Sequence, residues 1–480
     1  MQRAILGGIN QCNIHRLKTN HPKINPDGYN PNEPLSEIRY FDANGLYSWA
    51  MTQPVPTGGI RWLDEREIYM FTNWLEREEN EEFIRCPHPC FVEVDLEYPE
   101  ELHEIDKDMP LAPHHHEFTS RNVDRRLITS VLPRRNYVVH YKLLEFYLRM
   151  GLRLTKIHRA LTFKESNCLS EYILYNARMR MEGKTEFEKN FYKLMNNSVY
   201  GKTVEDVRRR RRFMCVTTKR QLRIQAPHQK RRNMLSWEEE GAPRDSIILE
   251  LGLKKHEYVK PIFVGAAVLE LSKMHMYNTF YNYFKRNYPD IRLAYIDTDS
   301  FFFSIPLPNA ETTFNDIIRA DVEKNGEDSI YDTSGMRERY NIPPVNRRVL
   351  GKFKDETNGD SILDFVGIRP KSYSFIHQDG AADIKAPGIP KVCVRNQLCH
   401  NDYVQLLETK GLKMPAPTQY TRFATSKLGG EMKTVQQCRK VVSAGDPSRI
   451  QYNRADGEWH YETRPIGWSG ELPSGAITLW

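Results

Sequence analysis

A chain of 480 residues can bury more than one core, and 40% hydrophobic residues with 25 Tyr and 21 Phe exclude a disordered, solvating polypeptide. The net charge of +7 and the pI near 8.8 favour a polyanionic partner without naming one. Eight cysteines scattered without regular spacing, no secretory signal and no bilayer-length apolar run exclude a disulfide framework and a membrane span; the expectation is a soluble intracellular protein.

Residues 1–37 are rich in Asn, Pro and Gly, as in Asn25-Pro26-Asp27-Gly28 and Asn30-Pro31-Asn32, and read as a connecting arm. Ile38 to Phe41 predicts a strand ending at Asp42, followed by a turn and the apolar stretch Leu46 to Met51. Residues 61–165 read as an inserted α+β subdomain, with a charged helix over Trp74 to Glu82 and strands over Phe91–Leu96 and Tyr137–Tyr141. A helix is predicted from Thr185 to Tyr200, opened by the capping box Thr185-x-x-Glu188 and stopped by Gly201. The arginine run Arg208 to Arg212 enters a polar second insertion over 203–260. Phe263 to Leu269 then leads into another helix. Leu293–Ile296 and Ser300–Ile305 predict two strands of a hairpin with Asp297-Thr298-Asp299 at its tip, and a polar lobe follows from about 395.

The acidic tip carries the chemistry. An isolated D-T-D is more often a solvated turn, but two carboxylates flanking one residue repel unless a divalent cation lies between them and a third carboxylate, which is how a two-metal phosphoryl-transfer site is built. Tyr295-Ile296-Asp297-Thr298-Asp299-Ser300 resembles the third polymerase motif, Y-x-D-T-D-S, of type B DNA polymerases. Asp42-Ala43-Asn44-Gly45-Leu46-Tyr47 is similar to the first, D-x-x-S-L-Y-P, with Gly45 and Ser48 departing from it. Lys193 to Gly201 matches every specified residue of the second, K-x-x-x-N-S-x-Y-G. Downstream, Leu350 to Glu356 and Arg369 to Ser374 resemble the segment whose K-x-Y element grips the primer. The resemblance spans about residues 38 to 395. The room left between motifs for two insertions points to the protein-primed branch found in viruses, linear plasmids and Polinton-type transposons.

The resemblance implies an α+β right-hand polymerase. Its palm would be formed by 38–60 and 261–394, its fingers by 166–202, its insertions by 61–165 and 203–260, and its thumb by 395–480. It implies DNA-directed synthesis with two Mg²⁺ ions, for which Mn²⁺ can substitute, on primer-template DNA and deoxynucleoside triphosphates. A terminal protein as primer is left open, and a monomer is expected. Asp42, Asp299 and the Ala43 carbonyl would hold metal, with Asp297 supporting. Tyr47 would exclude the ribose 2′-hydroxyl, beside Leu46. Arg180, Lys189 and Lys193 would meet the triphosphate, and Asn197 and Tyr200 the nascent base pair. On the same helix Phe187, Phe191 and Leu194 would pack on the opposite face. Ser198, Gly201, Lys371 and Tyr373 would contact primer and template, and Arg208 and Arg209 either template phosphates or, as a solvated run or an import signal, no DNA. The 41 residues before Asp42 are too few for a proofreading exonuclease domain, so synthesis without intrinsic proofreading is expected. The rival reading is a catalytically inactive DNA-binding relic. A reverse transcriptase is disfavoured because Thr298 separates the two aspartates, and a zinc site at Cys86-Pro87-His88-Pro89-Cys90 because no second well-spaced pair accompanies it.

Overall fold

The computed structural model describes residues 1–77, 85–118, 124–216, 218–225, 231–236, 247–252, 257–409, 418–425, 432–439, 446–453, 461–471 and 477–478. Three strands come first, β1 (Asn10–Cys12), β2 (Arg16–Lys18) and β3 (Ser36–Ala43), followed by the short helix α1 (Leu46–Thr52). The chain then leaves for a separate four-stranded sheet of order β4-β9-β5-β8, built from β4 (Val55–Trp62), β5 (Cys90–Glu97), β8 (Arg134–His140) and β9 (Arg153–Ser166). That sheet is accompanied by α2 (Glu65–Leu75), the hairpin β6 (His114–Phe118) and β7 (Asp124–Ile128), and α3 (Tyr141–Arg149). Asp64 and Glu67 form a capping box that starts α2 well before the expected helix. Of the expected span Trp74 to Glu82, only Trp74 and Leu75 are helical, and residues 78–82 lie outside the described ones.

Helices α4 (Ser170–Glu182) and α5 (Glu186–Thr203) pack on one another, joined by a three-residue link. The capping box at Thr185 and Glu188 is formed, but α5 runs through Gly201 to Thr203, because a helical glycine with open space around it costs propensity without forcing a stop. The following segment forms β10 (Arg211–Val216), α6 (Lys219–Gln225), β11 (Arg231–Ser236) and β12 (Ile247–Gly252), in a small sheet of order β10-β12-β11.

Helix α7 (Ile262–Asn278) includes the apolar run itself and is buried along most of its length. It passes through a π-helical stretch, Thr279–Lys285, back to the main sheet. There β13 (Arg292–Asp297) and β14 (Ser300–Pro306) form the predicted hairpin. They are followed by α8 (Phe314–Asn325), β15 (Tyr331–Asp332), β16 (Phe353–Asp355), β17 (Ile362–Arg369), β18 (Ser372–His377) and β19 (Ala382–Lys385). The backbone order is β1-β13-β14-β3-β17-β18-β19, with β2 on β17 and β16 bridging β15 to β3. This sheet is covered on both faces, which explains the Phe301-Phe302-Phe303 run in β14. Phe301 and Phe303 pack with Phe284 and Phe280 on one side, whereas Phe302 stacks on Tyr40 at 3.9 Å and meets Phe365 and Tyr373 on the other. Within β3, Arg39 is fully buried between Glu37 (2.6 Å) and Asp355 (2.8 Å).

Two expectations about the chain ends need correction. The N-terminal arm supplies strands: β1 pairs with β13 from Asn10 opposite Asp297 to Cys12 opposite Tyr295, and β2 pairs with β17. Strands of three residues carry too little periodicity to stand out among turn-forming residues. At the other end, α9 (Lys391–Gln397), α10 (His400–Glu408) and the hairpin β20 (Thr418–Thr425) and β21 (Met432–Arg439) precede a segment that returns to the body of the protein. Ile14 bridges Glu462, Ser130 bridges Ile466, and the Arg449 guanidinium donates to the Lys107 carbonyl. Residues 446–453 and 461–469 therefore pack on the N-terminal strands and the first insertion instead of extending a separate lobe.

Candidate active site

Strand register brings the two expected carboxylates together. Asp42 lies opposite Ser300 of β14 on one side and opposite Lys354 of β16 on the other, and the Ala43 N–H donates to the Asp299 carbonyl at 2.7 Å. Asp42 is thus one strand away from Asp299. Thr298 takes the left-handed conformation (φ 63°), which turns the chain between β13 and β14 within two residues. The turn is braced by the N-terminal segment: the Thr298 N–H donates to the Ile9 carbonyl, and a Cβ on Gly8 would lie 2.5 Å from the Thr298 side chain.

Burial first, and then the negative charge of Asp299, hold the Asp42 carboxyl far above the ordinary carboxylate range, with Glu356 adding to the effect. Asp299 is raised by burial and by Asp297, against its own backbone hydrogen bond, Lys371 and Lys193. Two half-solvated acids that resist joint ionisation suit a divalent cation, and Mg²⁺ takes one or two carboxylates and completes its shell with water and substrate phosphates. The donor set fits that ion. Among the described residues no three His, Cys, Asp or Glu side chains converge on one point. The third acid is engaged by a lysine: Asp297 Oδ1 accepts from Lys371 Nζ at 2.6 Å.

From the α4–α5 unit, Lys193 is exposed and its charge acts on both Asp42 and Asp299. Tyr200 stacks on Tyr47 with ring centroids 4.6 Å apart and planes 13° apart. Burial, then Asp299 and Asp297, push the Tyr47 hydroxyl up to about 12, so it stays protonated beside the carboxylates. Asn197 and Ser198 are exposed on the same helix, the Ser198 hydroxyl donating to the Met195 carbonyl, and Gly201 faces open space. Arg180 is half-buried near Glu186, while Lys189 is held by Glu186 at 2.8 Å.

Several expected contacts are arranged differently. Leu46 is 2% exposed and belongs to the core. Tyr373 is 4% exposed, its ring packed against Tyr295 at 4.9 Å, because β18 is covered on that face; Lys371 is engaged with Asp297. Phe187 (79% exposed) and Leu194 (63%), with Phe191, form an uncovered stripe on α5 instead of a packing face; the buried contact on that helix is Asn196, whose amide donates to the Ile173 carbonyl of α4. Arg208 pairs with Asp206 and Arg210 with Glu205 near their own backbone, and the side chains of Arg209, Arg211 and Arg212 lie outside the described residues. Cys86 and Cys90 are buried free thiols. Residues not singled out beforehand also border the site: Lys354 and Glu356, paired at 3.0 Å, both act on Asp42, and Asp332 accepts from Asn44 at 2.7 Å. Lys354 and Glu356 lie within the stretch Leu350 to Glu356, in which nothing in the sequence states that Lys354 will pair across from Asp42.

A sheet carrying two acids on neighbouring strands, faced by a helical pair with a lysine and a tyrosine, is the right-hand polymerase fold. The family described as DNA polymerase type B, organellar and viral, matches residues 28–278, and the chain belongs to that family. Among solved structures, the orthorhombic form of Phi29 DNA polymerase is similar with a TM-score of 0.50 at 13% identity, covering 92% of this chain and 62% of that chain. Phi29 DNA polymerase in its post-translocation binary complex with primer-template DNA gives 0.49 at 13% identity, over 92% and 61%. The family B DNA polymerase of the archaeon Pyrobaculum calidifontis gives 0.27 at 12%, over 96% and 44%. The chain thus spans less than two thirds of the Phi29 polymerase. No curated protein sequence matches it. No helix among the described residues is long and apolar enough to cross a membrane.

Proposed function

We propose that this protein is a DNA-directed DNA polymerase that adds deoxynucleotides to a primer 3′ end at the Asp42–Asp299 pair. The observation that carries the reading is the register of β3 against β14, which sets these two acids side by side under Lys193 of α5. When bound, Mg²⁺, or Mn²⁺ in its place, supplies Lewis acidity for the primer hydroxyl and neutralises the triphosphate. Asp42 and Asp299, with the Ala43 carbonyl, provide the oxygen donors. Lys193 offers its ammonium to the phosphates, Tyr47 walls the sugar, and Tyr200, stacked on it, and Asn197 border the base pair. Lys371, paired with Asp297 and acting by its charge on Asp299, is a positioning residue.

The partners in this reading are primer-template DNA and deoxynucleoside triphosphates. The protein-primed branch is favoured by the β4-β9-β5-β8 sheet inserted between α1 and α4 and the smaller one after α5, with a terminal protein as the primer. The test is extension of a labelled primer on a DNA template beside Asp42→Asn and Asp299→Asn. Loss of extension with primer-template binding retained is the expected result. Extension that survives in either variant refutes the assignment, and wild-type protein that binds DNA but never extends it identifies a relic.

A further inference from the structure

The loop between Tyr340 and β16 carries Arg348 in the left-handed region (φ 54°), a conformation that costs a non-glycine residue free energy and persists only where neighbours impose it. They do so through the stretch that follows Asp42. The Arg348 N–H donates to Asp332 Oδ2 at 2.8 Å, and the same oxygen accepts from the Asn44 amide at 2.7 Å. The Gly351 N–H donates to the Asn44 carbonyl, and the Asn44 N–H to the Lys352 carbonyl, both at 2.8 Å. The backbone of Arg348 is therefore fixed relative to the carboxylate site.

Its side chain crosses to the α4–α5 unit, where Nη1 lies 3.4 Å from the Arg180 carbonyl in the last turn of α4. The charge of its guanidinium also acts on that of Arg180. Arg180 Nε is buried with no hydrogen-bond partner, and burial, then the charge of Arg348, lower the Arg180 pKa. The acid acting on both, Glu186, is already paired with Lys189. A cap on the last carbonyls of α4 would explain the long Nη1 contact. It would leave two like charges acting on one another, which raises the energy of the free protein unless an anion enters.

We propose that Arg348 is a further nucleotide-binding residue, closing with Arg180 on the terminal phosphates of the incoming deoxynucleoside triphosphate. This rests on the polymerase reading above. Guanidinium groups bind phosphate oxygens through paired N–H donors, and the tether through Asp332 and Asn44 makes the position of Arg348 follow that of Asp42. The anion would thus be held from the sheet and from the helical pair at once.

The experiment is steady-state extension by Arg348→Gln and Arg348→Lys in the full chain, with inhibition by inorganic tripolyphosphate, which has neither sugar nor base. The KM for deoxynucleotide should rise about tenfold or more in Arg348→Gln, the loss expected for one charge-assisted hydrogen bond. Arg348→Lys should fall between it and wild type. Tripolyphosphate inhibition should weaken in parallel, with primer-template affinity unchanged. An unchanged KM, or a lowered melting temperature with unchanged tripolyphosphate inhibition, overturns the proposal in favour of a structural cap. Should Arg348→Gln fail to fold, the lysine variant decides alone by the same two readouts. Failure of wild-type extension would instead remove the polymerase reading itself.

Discussion

Replacing Arg39 by Met removes the cation from a completely enclosed triad while nearly preserving its volume. Arg39 lies 2.6 Å from Glu37 and 2.8 Å from Asp355, with the arginine and Glu37 side chains 0% exposed and Asp355 1%. Burial of Asp355 already raises its carboxyl, opposed chiefly by Arg39. Without the guanidinium, two acids remain in a dry core, and stranding a buried charge typically costs about 3–5 kcal/mol. Glu37 retains hydrogen bonds from Ser361 and the Phe314 N–H, and Asp355 from Thr357, which places the expected loss near the lower end of that range. The assay is urea unfolding followed by tryptophan fluorescence at several pH values. The gap between wild type and variant should be widest at neutral pH and shrink as pH falls, because a raised carboxyl takes up its proton earlier in the folded state. Adding Glu37→Gln and Asp355→Asn to Arg39→Met should recover most of the loss. A variant within about 1 kcal/mol of wild type at pH 7 would refute the argument, since that is the size of an exposed pair; so would a gap independent of pH.

Tyr47→Val should raise ribonucleotide incorporation relative to deoxynucleotide in single-turnover extension, because the stacked Tyr47–Tyr200 pair loses the ring that walls the sugar; unchanged sugar selectivity would remove that role. His140 is buried among Phe91, Phe163 and Tyr141, and burial lowers its pKa from 6.5 to about 3. The unfolded chain therefore takes up a proton below pH 6.5 that the folded protein refuses, so stability present above that pH drains away as pH falls, by about 2 kcal/mol at pH 5. His140→Phe should lose correspondingly less stability between pH 7 and pH 5 in chemical denaturation, and identical acid sensitivity of the two proteins would show that His140 does not titrate in this way.

The hairpin with its acidic tip and helix α5 were legible in sequence because two apolar runs frame Asp297-Thr298-Asp299, and because α5 is announced by a capping box that needs only Thr185 and Glu188. Tertiary pairing was not. Nothing in Asn10-Gln11-Cys12 states that it will lie along the edge of β13, or in Lys371 that its ammonium will be held by Asp297. Helical periodicity assigned Phe187, Phe191 and Leu194 to a packing face, but periodicity gives only a shared side, and α4 lies against Asn196 instead. Gly201 was over-read for the same reason: a stop depends on the geometry after the helix, not on glycine alone.

The two acids belong to segments that ribosomal synthesis releases far apart in time, Asp42 on β3 near the beginning and Asp299 in the turn before β14 only after both inserted sheets. Until β14 arrives, β3 has only the Asn20–Ser36 bridge and the Thr19 hydroxyl at its N-terminal end, with Arg39 and its acids still in water. The β4-β9-β5-β8 sheet is complete in the chain by Ser166 and can close on itself meanwhile. Such long-separation pairing is the slow part of folding. The consequence is an assembly order in which the outlying sheet becomes protected first and the acid pair last, with no partly active species between them. Pulse-labelled hydrogen exchange during refolding would read this directly, and protection of β3 and β14 amides before those of β5 and β9 would reverse it.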